Sequence, residues 1–162
     1  MLAALLVLTS FLPMQRIRAW VWHWRHGNSI QVGEFRIPVP NEWMVLRRGA
    51  IMLVNTKGEP GRTFSSTVTI TEERQRNGVL EDVASSQRRV MEDVGIHVPD
   101  ARHLIIDGVT GLCLDGETAK MGIKERHIYC RVGPTLSLHY VGSSLRAPAF
   151  YSILDGISKV AQ

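Results

Sequence analysis

The chain has 162 residues, 44% hydrophobic and 21% charged, which is globular composition and excludes a disordered chain, a collagen, a coiled coil and a polytopic membrane protein. The net charge is +4, but it is unevenly placed. Residues 1–29 carry +3 from Arg16, Arg18 and Arg25 with no acid, so residues 30–162 hold 16 of the 19 basic residues against all 15 acids and carry only +1. A nucleic-acid-binding domain needs a basic patch on its folded part, so no nucleic-acid partner is expected.

The chain divides into an arm, 1–29, and a single domain, 30–162, near the commonest domain size. Residues 2–14 (LAALLVLTSFLPM) hold no charge. As a helix they would reach about 20 Å, against a hydrocarbon core of about 30 Å. The length suits the apolar region of a signal peptide, yet no basic residue follows Met1 directly and no small-x-small cleavage site stands out. Trp20, Trp22 and Trp24 follow, interleaved with Arg16, Arg18, Arg25, His23 and His26. Such residues sit well at the headgroup level of a bilayer. Residues 1–26 are therefore expected to be an uncleaved anchor with an interfacial segment, making the membrane a partner. In the alternative, 1–14 is the first helix of the soluble fold, which Pro13 and the basic break fit poorly. Arginines after the apolar run favour a cytoplasmic domain; the cysteines, below, favour the other side.

The domain itself reads element by element. Phe35, Ile37 and Val39 alternate with Arg36 and Pro38, as in a half-buried edge strand. Residues 44–47 and 50–55 are short strands broken near Gly49, and 57–61 is a loop. Residues 64–72 are β-branched and alternate, with Phe64, Val68 and Ile70 opposite Thr67, Thr69 and Thr71. Asn77 caps a helix whose Leu80, Val83, Ala84, Val90, Met91 and Val94 recur at helical spacing; acids open it and Gly95 closes it. Strands follow at 102–106, 109–117, 124–132 and 135–142, with turns at Asp107-Gly108 and Gly133-Pro134. Pro148 opens a last helix with Phe150, Ile153, Leu154, Ile157 and Ala161 on its apolar face. Antiparallel hairpins with helices returning to the sheet define an α+β fold.

The opening Phe35-x-Ile37-Pro38-x-Pro40-x-x-Trp43 resembles the first strand and turn of the PsbP/DcrB-like fold, an αβα sandwich around an antiparallel β-sheet flanked by helices. The resemblance spans residues 30–161, with Glu42 where Gly is common. It implies binding more than catalysis, since relatives include photosystem-associated lumenal proteins, envelope lipoproteins and a small-GTPase-binding import factor. Fold does not settle function, and no lipobox cysteine precedes this domain.

Cys113 and Cys130 are the only cysteines, on consecutive expected strands. A hairpin centred on Met121-Gly122 places them opposite each other, where Cβ atoms lie about 4.5–5.5 Å apart, near the range from which a disulfide forms. A disulfide implies an oxidising compartment; the other reading is two buried thiols. Two sulfurs without CxxC spacing do not make a zinc site, and no metal or cofactor is expected.

His23 and His26, at i,i+3, are read as interfacial residues rather than ligands. His127 and His139 flank Gly133-Pro134, and the loop length decides whether His139 faces His127 or Ile128. With Glu117 or Asp115, and Tyr129 or Tyr140 nearby, they form the candidate polar site; a solvent-facing pair is the alternative. Ser143-Ser144 is placed to cap the last helix. Asp107 and Asp115 each precede Gly, as turn residues do. Arg88-Arg89 is solvated or meets an acidic partner. There is no G-x-S-x-G, P-loop or G-x-G-x-x-G.

The leading expectation is a non-catalytic binding or assembly module of the bacterial cell envelope. It would be tethered to the cytoplasmic membrane, face the periplasm and meet an unidentified envelope protein or small ligand. The alternatives are a small enzyme or metal-binding protein using His127 and His139, and a cytoplasm-facing module that uses Arg88-Arg89 and keeps its cysteines reduced.

Overall fold

The computed structural model describes residues 14–57, 66–73, 80–99, 101–120 and 123–160. Helix α1 (Met14–His26) leads into β1 (Ser29–Val32) and β2 (Phe35–Pro38). Strands β3 (Trp43–Arg48), β4 (Ala50–Asn55) and β5 (Thr67–Glu72) precede helix α2 (Leu80–Asp93). Then come β6 (Ala101–Ile106), β7 (Val109–Lys120), β8 (Ile123–Val132), β9 (Leu136–Gly142), helix α3 (Ala147–Asp155) and β10 (Ser158–Lys159).

Seven strands form one sheet in the order β3-β4-β5-β9-β8-β7-β6, and β1-β2-β10 form a second. Every pairing is antiparallel. Side chains alternate across a strand, so the large sheet has two distinct faces. Val68, Ile70, Ile128, Cys130, Leu138 and Tyr140 point to one, where they bury Phe150 and Ile153 of α3 and Phe35 and Ile37 of β2. Leu112, Leu114 and Tyr129 point to the other and meet Ala84 and Met91 of α2. Burying each large apolar side chain contributes about 1.5–3 kcal/mol, so both faces hold their helices. The result is an α+β fold with an αβα arrangement.

Local chemistry explains the turns. Asp107 and Gly108, at φ 47° and 77°, connect Ile106 to its partner Val109 in the two-residue hairpin that Asp-Gly favours. Gly95, at φ 84°, ends α2, with its N–H on Glu92 O and that of Ile96 on Met91 O, a glycine C-cap.

Several expectations need correction. Phe35–Pro38 is the centre of the small sheet, not an edge, because Ser29–Val32 and Ser158–Lys159 pair on either side of it; Pro38 stands at the strand's end, opposite Ser29. The last helix stops at Asp155 rather than running on, because the chain turns at Gly156. Ile157 is buried in the main core just ahead of β10. On α2, Ala84 and Met91 are buried but Val90 and Val94 are exposed. Arg146, not a serine, is the N-cap of α3, and makes no side-chain cap bond. Ser144 Oγ lies 3.0 Å from Glu117 Oε1 instead. The apolar run 2–13, the loop 58–61, Phe64, Asn77, the Met121-Gly122 turn and Ala161 lie outside the described residues.

The Trp-rich segment is a helix that packs against β3. Ala19 is buried, Trp22 meets the main core, and His23 Nε2 lies 2.9 Å from Trp43 O. Trp20 and Trp24, one turn apart, remain 68% and 75% exposed. No helix among the described residues is long and apolar enough to cross a membrane.

Candidate functional site

The parity of the sheet places the principal cleft. Cys113, Asp115 and Glu117 of β7 share a face with their partners Cys130, Ile128 and Arg126 on β8, and with Arg102 of β6 opposite Cys113. Helix α3 packs over β9 and β2 on this face, so the β6–β7–β8 end has no helix above it among the described residues. A cavity of about 640 Å³ opens there, walled by α3 through Tyr151 and by the 96–99 segment through His97 and Pro99. A second, of about 300 Å³, continues beside Leu104, Ile106 and Leu154. Arg102, Cys113 and Tyr151 border both.

One ion-pair network organises the larger cavity. Arg126 donates to Asp115 through Nε at 2.8 Å and Nη2 at 2.6 Å, the forked geometry that makes such pairs specific. The Tyr151 hydroxyl donates to Asp115 Oδ2 at 2.6 Å, tying α3 to the sheet. The Arg102 guanidinium stands 5.9 Å from the Tyr151 ring centroid, within cation–π range. Burial raises the Asp115 carboxyl, but the bonds from Arg126 and Tyr151 and the Arg126 charge outweigh it and hold it below its ordinary value. Burial and the bond to Asp115 push Tyr151 up to about 12. Both groups are held away from the range near neutrality in which a general acid or base works best.

Tyr151→Phe removes one hydrogen bond to a carboxylate while keeping the ring. It should cost about 1 kcal/mol, reduced from the usual charged-bond range by partial exposure. It should also raise the Asp115 pKa, measurable by NMR titration of the carboxyl carbon; an unmoved titration would show the bond to be absent in solution.

The sequence-predicted residues fall on opposite sides of the sheet. Cys113 and Cys130 are directly paired, with Cα atoms 4.0 Å apart, and form a disulfide. His127 and His139 are neither opposite each other nor is His139 opposite Ile128. The loop is Gly133–Thr135, so Tyr129 pairs with His139 and His127 with Val141. The two rings are diagonal neighbours with centroids 5.8 Å apart. They lie on the α2 side, whereas Glu117 and Asp115 face the α3 side, so the candidate polar site is divided by the sheet itself. His139 Nε2 is buried with no hydrogen-bond partner among the described residues. Burial, and secondarily His127, lowers its pKa to about 4. No group of three or more metal-ligating side chains occurs among the described residues.

Asp115 is not a turn residue; it lies within β7, and the glycine after it serves close packing. A Cβ on Gly116 would stand 2.7 Å from His97 O, where the 96–98 segment bridges to β7. Arg102, Arg126 and Tyr151 carried no signal in the sequence, since they come from three separate elements and only strand register and the packing of α3 bring them together. Arg88 and Arg89 sit on α2 beside another cavity, of about 400 Å³, that reaches His103.

No protein-family model matches the chain, and no curated protein matches it. Solved structures do. PA94 of Pseudomonas aeruginosa, a protein of unknown function, has a TM-score of 0.55 at 14% identity, covering 83% of this chain and 97% of that one. The cyanobacterial PsbP of Synechocystis sp. PCC 6803 has a TM-score of 0.53 at 13% identity, covering 82% and 91%. The fold is PsbP-like. LpqN of Mycobacterium tuberculosis, involved in cell envelope biogenesis, shares it with a TM-score of 0.55 at 14% identity, covering 82% and 90%. At these identities the PsbP-like likeness is one of architecture. It agrees with the resemblance carried by Phe35 to Trp43, and leaves function to the site.

Proposed function

We propose that this protein is a non-catalytic, membrane-tethered binding module of the bacterial cell envelope, with its domain in an oxidising compartment. The Cys113–Cys130 disulfide carries this reading, because such bonds persist where thiols are not kept reduced. The pair lies in the main core. The PsbP-like neighbour LpqN, named for envelope biogenesis, supports the same compartment. The tether is residues 1–26: the uncharged run 2–13 inserts, and the Arg16–Trp20–Trp24 stripe of α1, one residue per turn, lies at the headgroups. The cleft supports binding over catalysis in this reading, because its Asp115 is taken up by Arg126 and Tyr151.

The test is thiol counting on native membranes, denatured directly into an alkylating reagent so that the buried sulfurs are accessible, and weighed with and without reduction. Two sulfurs that become reactive only after reduction are expected, on a protein that stays with the membrane through a carbonate wash. Two free thiols would overturn the compartment and make Arg16, Arg18 and Arg25 a sign of a cytoplasmic domain. Release by carbonate would overturn the tether.

A further inference from the structure

The large sheet has two outer strands, β3 and β6. Helix α1 packs against β3, where His23 Nε2 reaches the Trp43 carbonyl. The outer side of β6 is open among the described residues. Its pairing with β7 sets which backbone groups point outward. In an antiparallel pair, opposite residues alternate between exchanging both hydrogen bonds and exchanging none. Thr110 of β7 gives its carbonyl to the N–H of Gly133, 3.0 Å away on the β8 side, so it is not bonded to its β6 partner Ile105. Ile105, and with it His103 and Ala101, therefore turn their N–H and C=O groups away from β7. No described residue bonds them there.

Outer strands are ordinarily guarded by lysine, proline or a bulge. Strand β6 has no lysine or proline within it, and its register with β7 is unbroken. Its one arginine, Arg102, rests over the Tyr151 ring on the α3 face. Ile105 is 77% exposed. The strand also has a polarity. Arg102, which makes no ion pair among the described residues, stands near its start, whereas Asp107 follows its end and Asp155 lies beside Leu154 in the cavity next to Ile106. An antiparallel neighbour that fits would bring acids to Arg102 and a cation to Asp107 and Asp155. It would also set a small residue against Ile105 and a large one against Ala101. Strand β6 itself has that order.

We propose that two copies of this chain associate through β6, antiparallel about a two-fold axis at His103, so that the large sheet of one copy continues into that of the other. This register uses all the outward backbone groups, because Ala101 of each copy exchanges hydrogen bonds with Ile105 of the other and His103 with His103. The contact is isologous, the commonest kind in soluble oligomers. The exposed Ile105 side chain is covered against Ala101 of the second copy. Arg102 lies opposite Leu104 of the second copy and diagonal to Ile106, a separation that long side chains span, which brings it to the Asp107 and Asp155 end. The helices allow the approach. Helix α2 packs against β7, and the two β7 strands would stand three strand spacings apart, about 14 Å. That leaves room for two helices of about 10–12 Å diameter side by side. The association goes beyond the binding-module reading and depends on neither its tether nor its compartment.

The test uses the full chain. On native membranes, Ala101→Cys and Ile105→Cys chains carrying different tags are treated together with a short bismaleimide, against a chain with no added cysteine. The two variants should join to each other much more than either joins to itself, and His103→Cys should join to itself. In detergent, sedimentation should show a reversible dimer. Ile105→Lys puts a charge on the open edge at an exposed position, where folding is not at risk, and should weaken the dimer about tenfold. Arg102→Glu should weaken it as well, and adding Asp155→Arg to that variant should restore it. A monomer at every concentration, a dimer unaffected by Ile105→Lys, or Ala101→Cys chains that join to themselves as readily as to Ile105→Cys chains would each overturn the proposal. Cross-linking of Ile105→Cys to a different protein, with no β6–β6 product, would give the edge to another strand and overturn it too. None of these results changes the thiol count or the carbonate wash, so the tethered-module reading stands or falls separately.

Discussion

Replacing Cys113 and Cys130 together by alanine should lower the unfolding free energy by about 3 kcal/mol. The bond spans a sequence separation of 17, and closing a loop of that length removes about 3 kcal/mol of entropy from the unfolded chain. Alanine is the right replacement because both positions are buried among apolar neighbours, where a serine hydroxyl would need a partner. For a chain of this size the melting temperature should fall by about 6–12 °C. The check is urea unfolding of oxidised wild type, reduced wild type and the double variant. The two forms without the bond should unfold at similar urea concentrations, both well below the oxidised protein. Coincidence of all three would show that native-state strain cancels the constraint, and the bond would then offer no reason for the domain to need an oxidising compartment.

Acidification from pH 6.5 to pH 4 should destabilise the protein through His139. Its folded pKa is about 4, against an ordinary value of about 6.5 for an unfolded histidine. Between those values the unfolded chain takes up a proton that the folded chain refuses. Stability therefore rises with pH across this window and is lost on acidification, by on the order of 3 kcal/mol. The cause is local. The half-buried ring lies between Tyr129 and Thr69, its partners on β8 and β5, where desolvation disfavours its charge, and His127, with its ring centroid 5.8 Å away, adds to the effect. Asp115 does not mask the effect, because its depressed pKa moves its own titration to lower pH. His139→Gln keeps a polar side chain without the titration and should flatten the dependence of unfolding free energy on pH. Equal slopes in wild type and variant between pH 6.5 and 4 would assign the acid sensitivity elsewhere.

Local features of the chain account for part of this architecture. Helix α2 follows from an apolar stripe, acids at its start and Gly95 at its end. The β6–β7 hairpin follows from Asp107-Gly108, because few residue pairs tolerate two successive positive φ angles. The opposition of Cys113 and Cys130 follows from counting residues about one hairpin. The two short strands that complete the small sheet leave no such mark. Ser29–Val32 and Ser158–Lys159 have four and two residues, too few for a periodicity to show, and they are strands only because β2 lies between them.

The candidate site shows the same division more sharply. A shift of one residue in register moves a side chain to the other face of a sheet, so the three-residue loop at Gly133–Thr135 decides what His139 meets. Strand parity decides that Glu117 and His127 never share a site, although only ten positions separate them. The order and type of the main elements, the basic charge of the arm and the cysteine pair are all legible in the amino-acid order, because each depends on neighbours along the chain or across a single turn. The cleft is not. Arg102, Asp115, Arg126 and Tyr151 lie on four different elements, and they converge because long-range pairing and helix packing, not local preference, set which face each one occupies.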